Sequence, residues 1–427
     1  MLVNFSIGNY LSFKEIQKLN LVPDVIKDLK ENLHIPYFYD PEMRLLKSCA
    51  LYGHNSHGKS NFIKGFQFFQ HFIFTSFSHG QGMNTITREP FRLNPSMADK
   101  PSFFEITFLL KQTKYRYVFA LTSEEIIEEG LYYAEAKIRE NYLFERKGQD
   151  FKISKAWNKE TENQAEHALS FAKPHILLLS VLLSQKNVPK IQDISNWLSG
   201  NLVIPDDYLT EIVKAKNIYS DLTYKNLILK FIKNADLGFR TVFDKVDSLS
   251  KNHQHFDKGI FNIWFDKEIK NFQLYTGHDL YNNDKKIVGN VEFELQKNES
   301  AGSIKYFILV SLLSYAIKNS LLIWVDELDA RFHSSLLEML VQSFHNPEIN
   351  PINSQMIFTT HNTVLLDKKL RRDQMVVIEK NQFGESTIQR MHSSKKPIRI
   401  GKSMEKEYRK GNLGGVSRDL LNPTLFD

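Results

Sequence analysis

The sequence feature that most constrains the fold is a phosphate-loop motif near the start of the chain. Residues 53–60 read Gly-His-Asn-Ser-His-Gly-Lys-Ser and match the pattern G-x-x-x-x-G-K-[ST]. The apolar run 46–52 before the motif predicts a strand, and the apolar-periodic run 59–77 predicts a helix. A phosphate loop requires this order, because the loop and the first helical turn point backbone N–H groups at the anion. The motif therefore predicts an α/β fold that binds a nucleotide.

Each expected contact within this loop follows from the residue type. Gly53 and Gly58 permit the backbone turn and its close approach to the phosphates, and Lys59 supplies positive charge toward the β- and γ-phosphates. The Ser60 hydroxyl is expected to complete the coordination shell of Mg²⁺. Because no guanine-recognition motif appears where a GTPase would need one, ATP is the expected nucleotide. The other expected nucleotide contacts are Asn55, Ser56 and Asn61.

A second site is predicted where an apolar strand, 321–325, ends in the acids Asp326 and Glu327. A buried parallel strand presents its carboxyl end to the ligand edge of the sheet. We therefore expect Asp326 to hold Mg²⁺, directly or through water, and Glu327 to polarise the attacking water as general base. The alternative is a surface pair of acids that caps the next helix.

Three further positions complete the pattern of motifs. Ser300 and Gly302 open the predicted helix 303–317, and a helix start of this kind forms an anion-binding site. Because the phosphate loop already holds the phosphates in one copy, this second site would serve a nucleotide bound to another copy. Asp329 lies two residues after Glu327, and His361 follows the predicted strand 356–359. The alternatives are a plain helix cap at Ser300 and a core histidine at 361.

The rest of the chain divides by pattern. Strand patterns in 1–150 and 236–390 flank a segment, 151–235, whose apolar spacing reads as helical and strandless. This predicts an α/β fold of mixed sheet and helices, with an N-terminal and a C-terminal lobe separated by an all-helical insertion. The tail 391–427 is basic, and we expect it either to be solvated or to contact phosphate or a partner. Its basic residues are Lys395, Lys396, Arg399, Lys402, Lys406, Arg409, Lys410 and Arg418.

The composition of the chain excludes several classes of protein. A hydrophobic fraction of 42% and a charged fraction of 24% exclude a disordered chain. The single cysteine, Cys49, excludes an internal disulfide framework and fits a reducing cytosol, and the N-terminus lacks the pattern of a signal peptide. The apolar run 306–325 has about the length of a membrane span, but the polar residues 318–320 interrupt it. We expect a buried helix, a turn and a strand there, and no membrane contact.

The order of phosphate loop, Ser-x-Gly helix start, Asp-Glu strand, aspartate and histidine resembles the ABC-type ATPases, including the SMC-like repair ATPases. This resemblance implies a head-to-tail dimer with two ATP molecules sandwiched at the interface. Ser300 and Gly302 would then contact the γ-phosphate held by the partner's Lys59. His361 would bond the γ-phosphate or the attacking water, and Asp329 would couple the two sites.

Several shorter stretches narrow the resemblance. They are 9–14, 299–302, 326–333, 359–367, 371–374 and the ending 408–416. Together they are similar to bacterial abortive-infection ATPases of the RloA/AbiL type, also seen as the ATPase subunit of PARIS-type phage-defence systems. The likeness implies a cytoplasmic, ATP-driven sensor or scaffold that forms a homodimer or higher homo-oligomer. It also implies a separately encoded TOPRIM-type nuclease as partner and a phage-derived trigger.

The sequence departs from these patterns in two ways. No residue is assigned to the Gln loop of ABC proteins, and Asn412 stands where family members often carry arginine.

Other functions stay open. An SMC-like DNA-processing or repair ATPase would need long coiled-coil heptads, and it would bind nucleic acid. A nucleotide-binding scaffold that hardly turns over would not need Glu327 as a base. An ABC transporter subunit is disfavoured by the insertion and by the missing Gln loop.

Overall fold

The computed structural model describes residues 1–26, 28–35, 39–80, 85–136, 138–185, 188–205, 207–245, 273–331, 333–391 and 403–415. The strands, in chain order, are β1 (Leu2–Gly8), β2 (Gln17–Asn20), β3 (Leu33–His34), β4 (Leu45–Leu46), β5 (Ser48–Tyr52), β6 (Ser102–Leu110), β7 (Thr113–Leu121), β8 (Ile126–Glu135), β9 (Asn141–Lys147), β10 (Asp150–Ile153), β11 (Leu202–Ile204), β12 (Thr241–Lys245), β13 (Gln273–Tyr281), β14 (Ile287–Glu294), β15 (Leu322–Val325), β16 (Gln355–Thr359), β17 (Met375–Lys380) and β18 (Ser386–Arg390). The helices are α1 (Lys59–His79), α2 (Lys155–Glu160), α3 (Gln164–His167), α4 (Leu178–Ser184), α5 (Ile191–Gly200), α6 (Ile212–Ser220), α7 (Leu222–Asn234), α8 (Leu295–Asn298), α9 (Ala301–Asn319), α10 (Ser334–His345), α11 (Leu365–Lys368) and α12 (Met404–Arg409).

Two large sheets form the body of the protein. An antiparallel sheet has the order β10-β9-β8-β7-β6-β1-β2, and a second sheet has the order β11-β15-β16-β5-β17-β18. In the second sheet all neighbours are parallel except β17 and β18. The carboxyl ends of β5, β15 and β16 therefore meet at one edge, which is where ligands bind in such sheets. The mixed α/β architecture predicted from the sequence is confirmed.

Helix α1 packs between the two sheets through its aromatic side chains. Phe66 stacks on Trp324 of the parallel sheet with ring centroids 4.6 Å apart, and Phe69 stacks on Phe119 of the antiparallel sheet at 5.5 Å. All four rings are fully buried. Aromatic pairs of this kind add stabilisation beyond the area they bury. The helix that opens at the phosphate loop is thus fixed on both of its sides.

The opposite face of the parallel sheet is covered by α9 and its neighbours. Side chains alternate along β5, so that Leu51 joins the core around α1 while Tyr52 joins the core around α9. In the described part of the chain, α9 is the one helix long and apolar enough to suit a membrane span. However, 78% of its most apolar stretch is buried inside the protein. The expected buried helix, turn at Ser320 and strand are therefore present.

The prediction that 151–235 is all-helical is wrong. Residues Leu202–Ile204 form β11, which pairs in parallel with β15 and completes the sheet at that edge. The run Leu-Val-Ile is apolar, two of its three residues are β-branched, and Pro205 follows it directly. Its partner strand lies over a hundred residues away, so no local pattern signals it. The predicted tail also contains a described helix, α12. Within the predicted C-terminal lobe, the apolar run 260–265 also predicts a strand, and it lies outside the described residues.

Candidate functional site

The phosphate loop has the backbone that its two glycines predict. Gly53 has φ +150° and Gly58 has φ +111°, a region that side chains disfavour. A Cβ at Gly53 would lie 2.4 Å from the carbonyl oxygen of Ile378. A Cβ at Gly58 would lie 2.5 Å from the hydroxyl of Ser386 and 2.7 Å from that of Ser12. Both positions therefore require glycine, and β17 and β18 pack directly against the loop.

Lys59 lies at the centre of this loop. Its side chain is only 6% exposed, and Nζ donates to the carbonyl oxygens of Gly53 at 2.8 Å and His54 at 3.2 Å. Burial lowers the pKa of Lys59, while the nearby carboxylates of Asp326, Glu327 and Asp329 oppose that shift. The ammonium group is thus held among loop carbonyls and faces the acids of the second predicted site.

One cleft brings the two predicted sites together. Its volume is about 250 Å³. The residues that line it are Asn55, Ser56, Gly58, Lys59, Ser60, Asn61, Glu327 and His361. The phosphate loop therefore shares one space with residues that follow β15 and β16, over 260 positions later in the chain. The common edge of the parallel strands produces this arrangement.

The two acids after β15 are anchored by Thr359, the last residue of β16. The Thr359 hydroxyl donates to Oδ1 of Asp326 at 2.6 Å and accepts from the backbone N–H of Glu327 at 2.7 Å. On the other side, the Asp326 N–H donates to the carbonyl oxygen of Ile204 in β11. Thr359 was not among the site residues predicted from the sequence. The sequence feature that could have indicated Thr359 is a hydroxyl residue at the end of β16, the strand beside the one that ends in Asp326 and Glu327.

The backbone of Glu327 is held in an uncommon conformation. Its φ is +48°, and its carbonyl oxygen accepts a hydrogen bond at 2.9 Å from Nζ of Lys305. Lys305 is 2% exposed on α9, and its ammonium lies 5.3 Å from the centre of the Tyr208 ring. Strained backbones of this kind concentrate at functional sites. Sequence reasoning missed Lys305, although a lysine inside an otherwise apolar helix was a usable signal.

His361 is oriented by Asp329. The backbone N–H of His361 lies 3.3 and 3.2 Å from the two carboxylate oxygens of Asp329, to which it donates. Burial lowers the pKa of the His361 imidazole, as does the positive charge of Lys59, whereas Asp329 raises it. Within one chain, Asp329 therefore fixes the segment that carries His361. Its expected role between two copies stays a prediction.

Ser300 and Gly302 lie at the exposed start of α9. Ser300 caps the helix, and its hydroxyl accepts from the Ser303 N–H at 3.1 Å. A Cβ at Gly302 would approach the carbonyl oxygen of Arg331 to 3.1 Å, so a larger residue would crowd the helix start. Neither residue is among the described residues that line the cleft of the same chain. The cap is formed as the alternative interpretation required, and the helix tip faces solvent.

The donor atoms at the cleft fit Mg²⁺ and a triphosphate. Ser60 lines the cleft and offers a hydroxyl, whereas Asp326 is 7% exposed, is not among the described residues that line the cleft, and offers a carboxylate directly before Glu327. Mg²⁺ prefers oxygen ligands. Among the described residues no group of three or more His, Cys, Asp or Glu side chains could hold a metal ion by itself. Mg²⁺ at this site would therefore complete its shell with water and phosphate oxygens, as it usually does. The glycine-lined loop supplies the close backbone approach that phosphates need.

A family model described as "AAA domain, putative AbiEii toxin, Type IV TA system" matches residues 49–367. Two solved structures resemble the chain at low scores. The SMC head domain from Thermotoga maritima is 10% identical with a TM-score of 0.37, and the match covers 93% of this chain and 99% of that chain. The recombination mediator protein RecF with ATP, of the RecFOR pathway, is 12% identical with a TM-score of 0.34, covering 91% and 97%. No curated protein sequence matches. Because the family model spans well over half of the chain and includes both predicted sites, the chain belongs to this family of AAA domains.

Proposed function

We propose that the chain binds ATP with Mg²⁺ and hydrolyses it to ADP and phosphate. The observation that carries this proposal is the single cleft in which Lys59 and Ser60 face Glu327 and His361. A binding site alone needs the phosphate loop but not a carboxylate opposite it. The presence of Glu327 in the cleft therefore favours an ATPase over a scaffold that holds nucleotide without turnover.

The residues divide the chemistry in the following way. The loop N–H groups and Lys59 would hold the β- and γ-phosphates, and Ser60 and Asp326 would hold Mg²⁺, which would supply positive charge to the phosphate oxygens. Glu327 accepts the proton of the attacking water, and its backbone is fixed by Thr359. His361 donates to the γ-phosphate or orients the water. Asp329 keeps that imidazole at the cleft through the His361 backbone.

We further propose that the active unit is a head-to-tail homodimer or a higher homo-oligomer. The exposed tip of α9, with Ser300 and Gly302, does not line the cleft of its own chain. A helix start carries unpaired N–H groups and partial positive charge that suit a phosphate. Contact with ATP held by the partner's Lys59 would use both features. In that arrangement each copy completes the site of the other.

Ser300→Arg is expected to leave ATP binding nearly unchanged and to abolish hydrolysis, because the phosphate loop stays intact while the larger side chain blocks the partner. Mixing this variant with Lys59→Ala, which lacks a competent phosphate loop, should restore activity. One mixed site then combines an intact loop with an intact helix tip, whereas the other site carries both substitutions. Turnover is measured by phosphate release in the single and mixed samples.

The matched control is Ser170→Arg, which adds the same side chain at an exposed position away from the cleft. This control should retain wild-type turnover. Wild-type turnover in Ser300→Arg alone would reject the arrangement in which one copy completes the other. Mixed samples as inactive as the single variants would reject it as well.

In the cell, we propose that this ATPase acts in the cytoplasm as the sensor or scaffold of an anti-phage system. Nucleotide-dependent dimerisation would control a separately encoded nuclease, with a TOPRIM-type enzyme as the expected partner and a phage-derived molecule as the trigger. The support is the resemblance of several motifs to RloA/AbiL-type and PARIS-type ATPases. The family description also names a toxin of a Type IV TA system.

The test is phage infection of cells that carry the gene together with its neighbouring reading frames. Protection against phage is expected with the wild-type gene and is expected to be lost with Lys59→Ala. Loss of protection when a neighbouring nuclease gene is deleted would support the partner. Equal plaque numbers with and without the wild-type gene, across a phage panel, would count against the defence role.

An SMC-like DNA-processing ATPase fits the structure less well. Such a protein needs long helices that pair as a coiled coil. Within the described residues between β10 and β12, the longest helix is α7, with 13 residues. A helix of that length spans about 20 Å, which is too short for an extended arm.

A further inference from the structure

The C-terminal segment 403–415 packs into the core beside the cleft. Met404 and Tyr408 of α12 are 4% and 7% exposed, and Leu413 is fully buried. These side chains join the core that also contains Tyr52, the last residue before the phosphate loop. The sequence assigned this segment to a tail that is solvated or contacts a partner. The described part of that tail instead belongs to the body of the protein.

One set of contacts joins this segment to the chain that follows His361. The hydroxyl of Thr363, two residues after His361, donates to Oε1 of Glu405 at 2.9 Å. The same hydroxyl accepts from the guanidinium of Arg409 at 3.1 Å, and Arg409 and Glu405 form an ion pair at 2.6 Å. Two residues of α12, Glu405 and Arg409, therefore both form hydrogen bonds with the Thr363 hydroxyl.

A second contact fixes the same stretch four residues later. The carboxylate of Asp367 accepts from the Ser403 hydroxyl at 2.5 Å and from the Glu405 N–H at 3.0 Å. Thr363 and Asp367 are thus both bonded to the start of α12. Because this stretch begins two residues after His361, its position constrains the imidazole at the cleft.

A third contact reaches the phosphate loop itself. The ring of Tyr408 packs edge-on against Tyr52, with centroids 5.6 Å apart. Burial raises the pKa of Tyr408 to about 12, and a hydrogen bond with the backbone of Gly53 opposes that shift. The Tyr52 hydroxyl in turn donates to the carbonyl oxygen of Asn362. The two tyrosines therefore connect the first glycine of the loop with the residue after His361.

We propose that residues 403–415 are a positioning element of the ATPase site, which holds the His361 segment and the start of the phosphate loop in register. The positioning residues are Glu405 of this element and Thr363, the residue of the His361 segment to which Glu405 bonds, and neither lines the cleft. This inference rests on the function proposed above for the cleft. The element acts on turnover through His361, so its loss lowers the rate of hydrolysis rather than the affinity for ATP.

The test uses Thr363→Val and Glu405→Gln in the full-length protein, because both substitutions keep the shape of the side chain. Each is expected to lower kcat about tenfold, while the Kd for ATP stays within about twofold of the wild type, since the lost contacts involve a charged group. The measurement that distinguishes a positioning role from a merely structural one is the kcat of a double variant that combines Thr363→Val with His361→Ala. If Thr363 acts through His361, the double variant should be no slower than His361→Ala alone.

The matched control is Thr122→Val, which makes the same substitution in the turn between β7 and β8, outside segment 403–415 and the cleft, and removes a hydrogen bond from the Thr122 hydroxyl to the carbonyl oxygen of Glu125 at 3.3 Å. This variant should keep wild-type kcat. An unchanged kcat in both Thr363→Val and Glu405→Gln would overturn the proposal. Full additivity with His361→Ala would also overturn it, because independent effects add when residues do not act together.

Hydrogen exchange across residues 361–367 separates this inference from the proposed function. Faster exchange there in Thr363→Val than in the wild type supports the docked segment without reference to turnover, and unchanged exchange overturns it. Absence of ATP hydrolysis by the wild type would instead reject the ATPase assignment of the cleft.

Discussion

Lys59→Ala is expected to abolish ATP binding, with a loss of affinity of at least about 100-fold. Charge-assisted hydrogen bonds to phosphate are among the strong ones, and about 3 kcal/mol corresponds to a change in Kd of more than a hundredfold. The ammonium is already buried at the centre of the loop, where it bonds to the carbonyl oxygens of Gly53 and His54. Its removal leaves the loop without its cation and takes that donor from the Gly53 carbonyl oxygen, whereas the His54 carbonyl oxygen keeps a bond from the N–H of His57.

Isothermal titration with ATP and Mg²⁺ measures this effect directly. The matched control is Lys64→Ala, which removes the same charge from the exposed side of α1, one turn further along the helix. The control should bind ATP as the wild type does. An ATP affinity in Lys59→Ala equal to that of the control would refute the assignment of the phosphate loop.

Much of the site could be predicted because it depends on local patterns at strand ends. The strand before Gly53 and the strand before Asp326 are short, apolar and followed at once by polar residues with defined chemistry. In a parallel sheet such ends share one edge. The sequence therefore predicted that the loop, the acids and His361 would meet, although the strands β15, β16 and β5 come from distant parts of the chain.

The residues that were missed depend on contacts between distant segments. Thr359 matters because β16 happens to lie beside β15, so that its hydroxyl reaches both Asp326 and the Glu327 N–H. Lys305 matters because it lies on α9 at a position from which its ammonium reaches the Glu327 carbonyl oxygen, just after β15. Neither contact has a spacing rule in the sequence. A buried cation and a buried hydroxyl at a strand end are visible only as exceptions to the apolar pattern.

The same limit applies to β11 and to the segment 403–415. Three apolar residues do not distinguish a strand from part of a helix, and the pairing of β11 with β15 decides the outcome. In segment 403–415 the charged residues are frequent enough to suggest a solvated tail. However, Tyr408 and Leu413 occur at positions that bury one side of the segment against β17 and β5. Tertiary packing overrides composition in both cases.

Glu327→Gln is expected to bind ATP and to lose at least about 100-fold in turnover, because general-base catalysis typically contributes a factor of this size. The variant should also form a longer-lived dimer with ATP, since hydrolysis no longer releases it and a negative charge facing the phosphates is removed. Phosphate release measures the first effect. Size-exclusion chromatography with ATP and Mg²⁺ measures the second, and Glu348→Gln, at an exposed position, is the matched control.

The structure makes this substitution a test of chemistry rather than of position. Two contacts that fix Glu327 are made by its backbone: the N–H donates to the Thr359 hydroxyl and the carbonyl oxygen accepts from Lys305. Glutamine keeps both contacts and the size of the side chain, so it should occupy the same place with its backbone still at φ +48°. A loss of turnover then reports the missing base. If ATP gives no longer-lived dimer in Glu327→Gln, or if turnover stays at the level of Glu348→Gln, another group must activate the water and the assignment of the base is wrong.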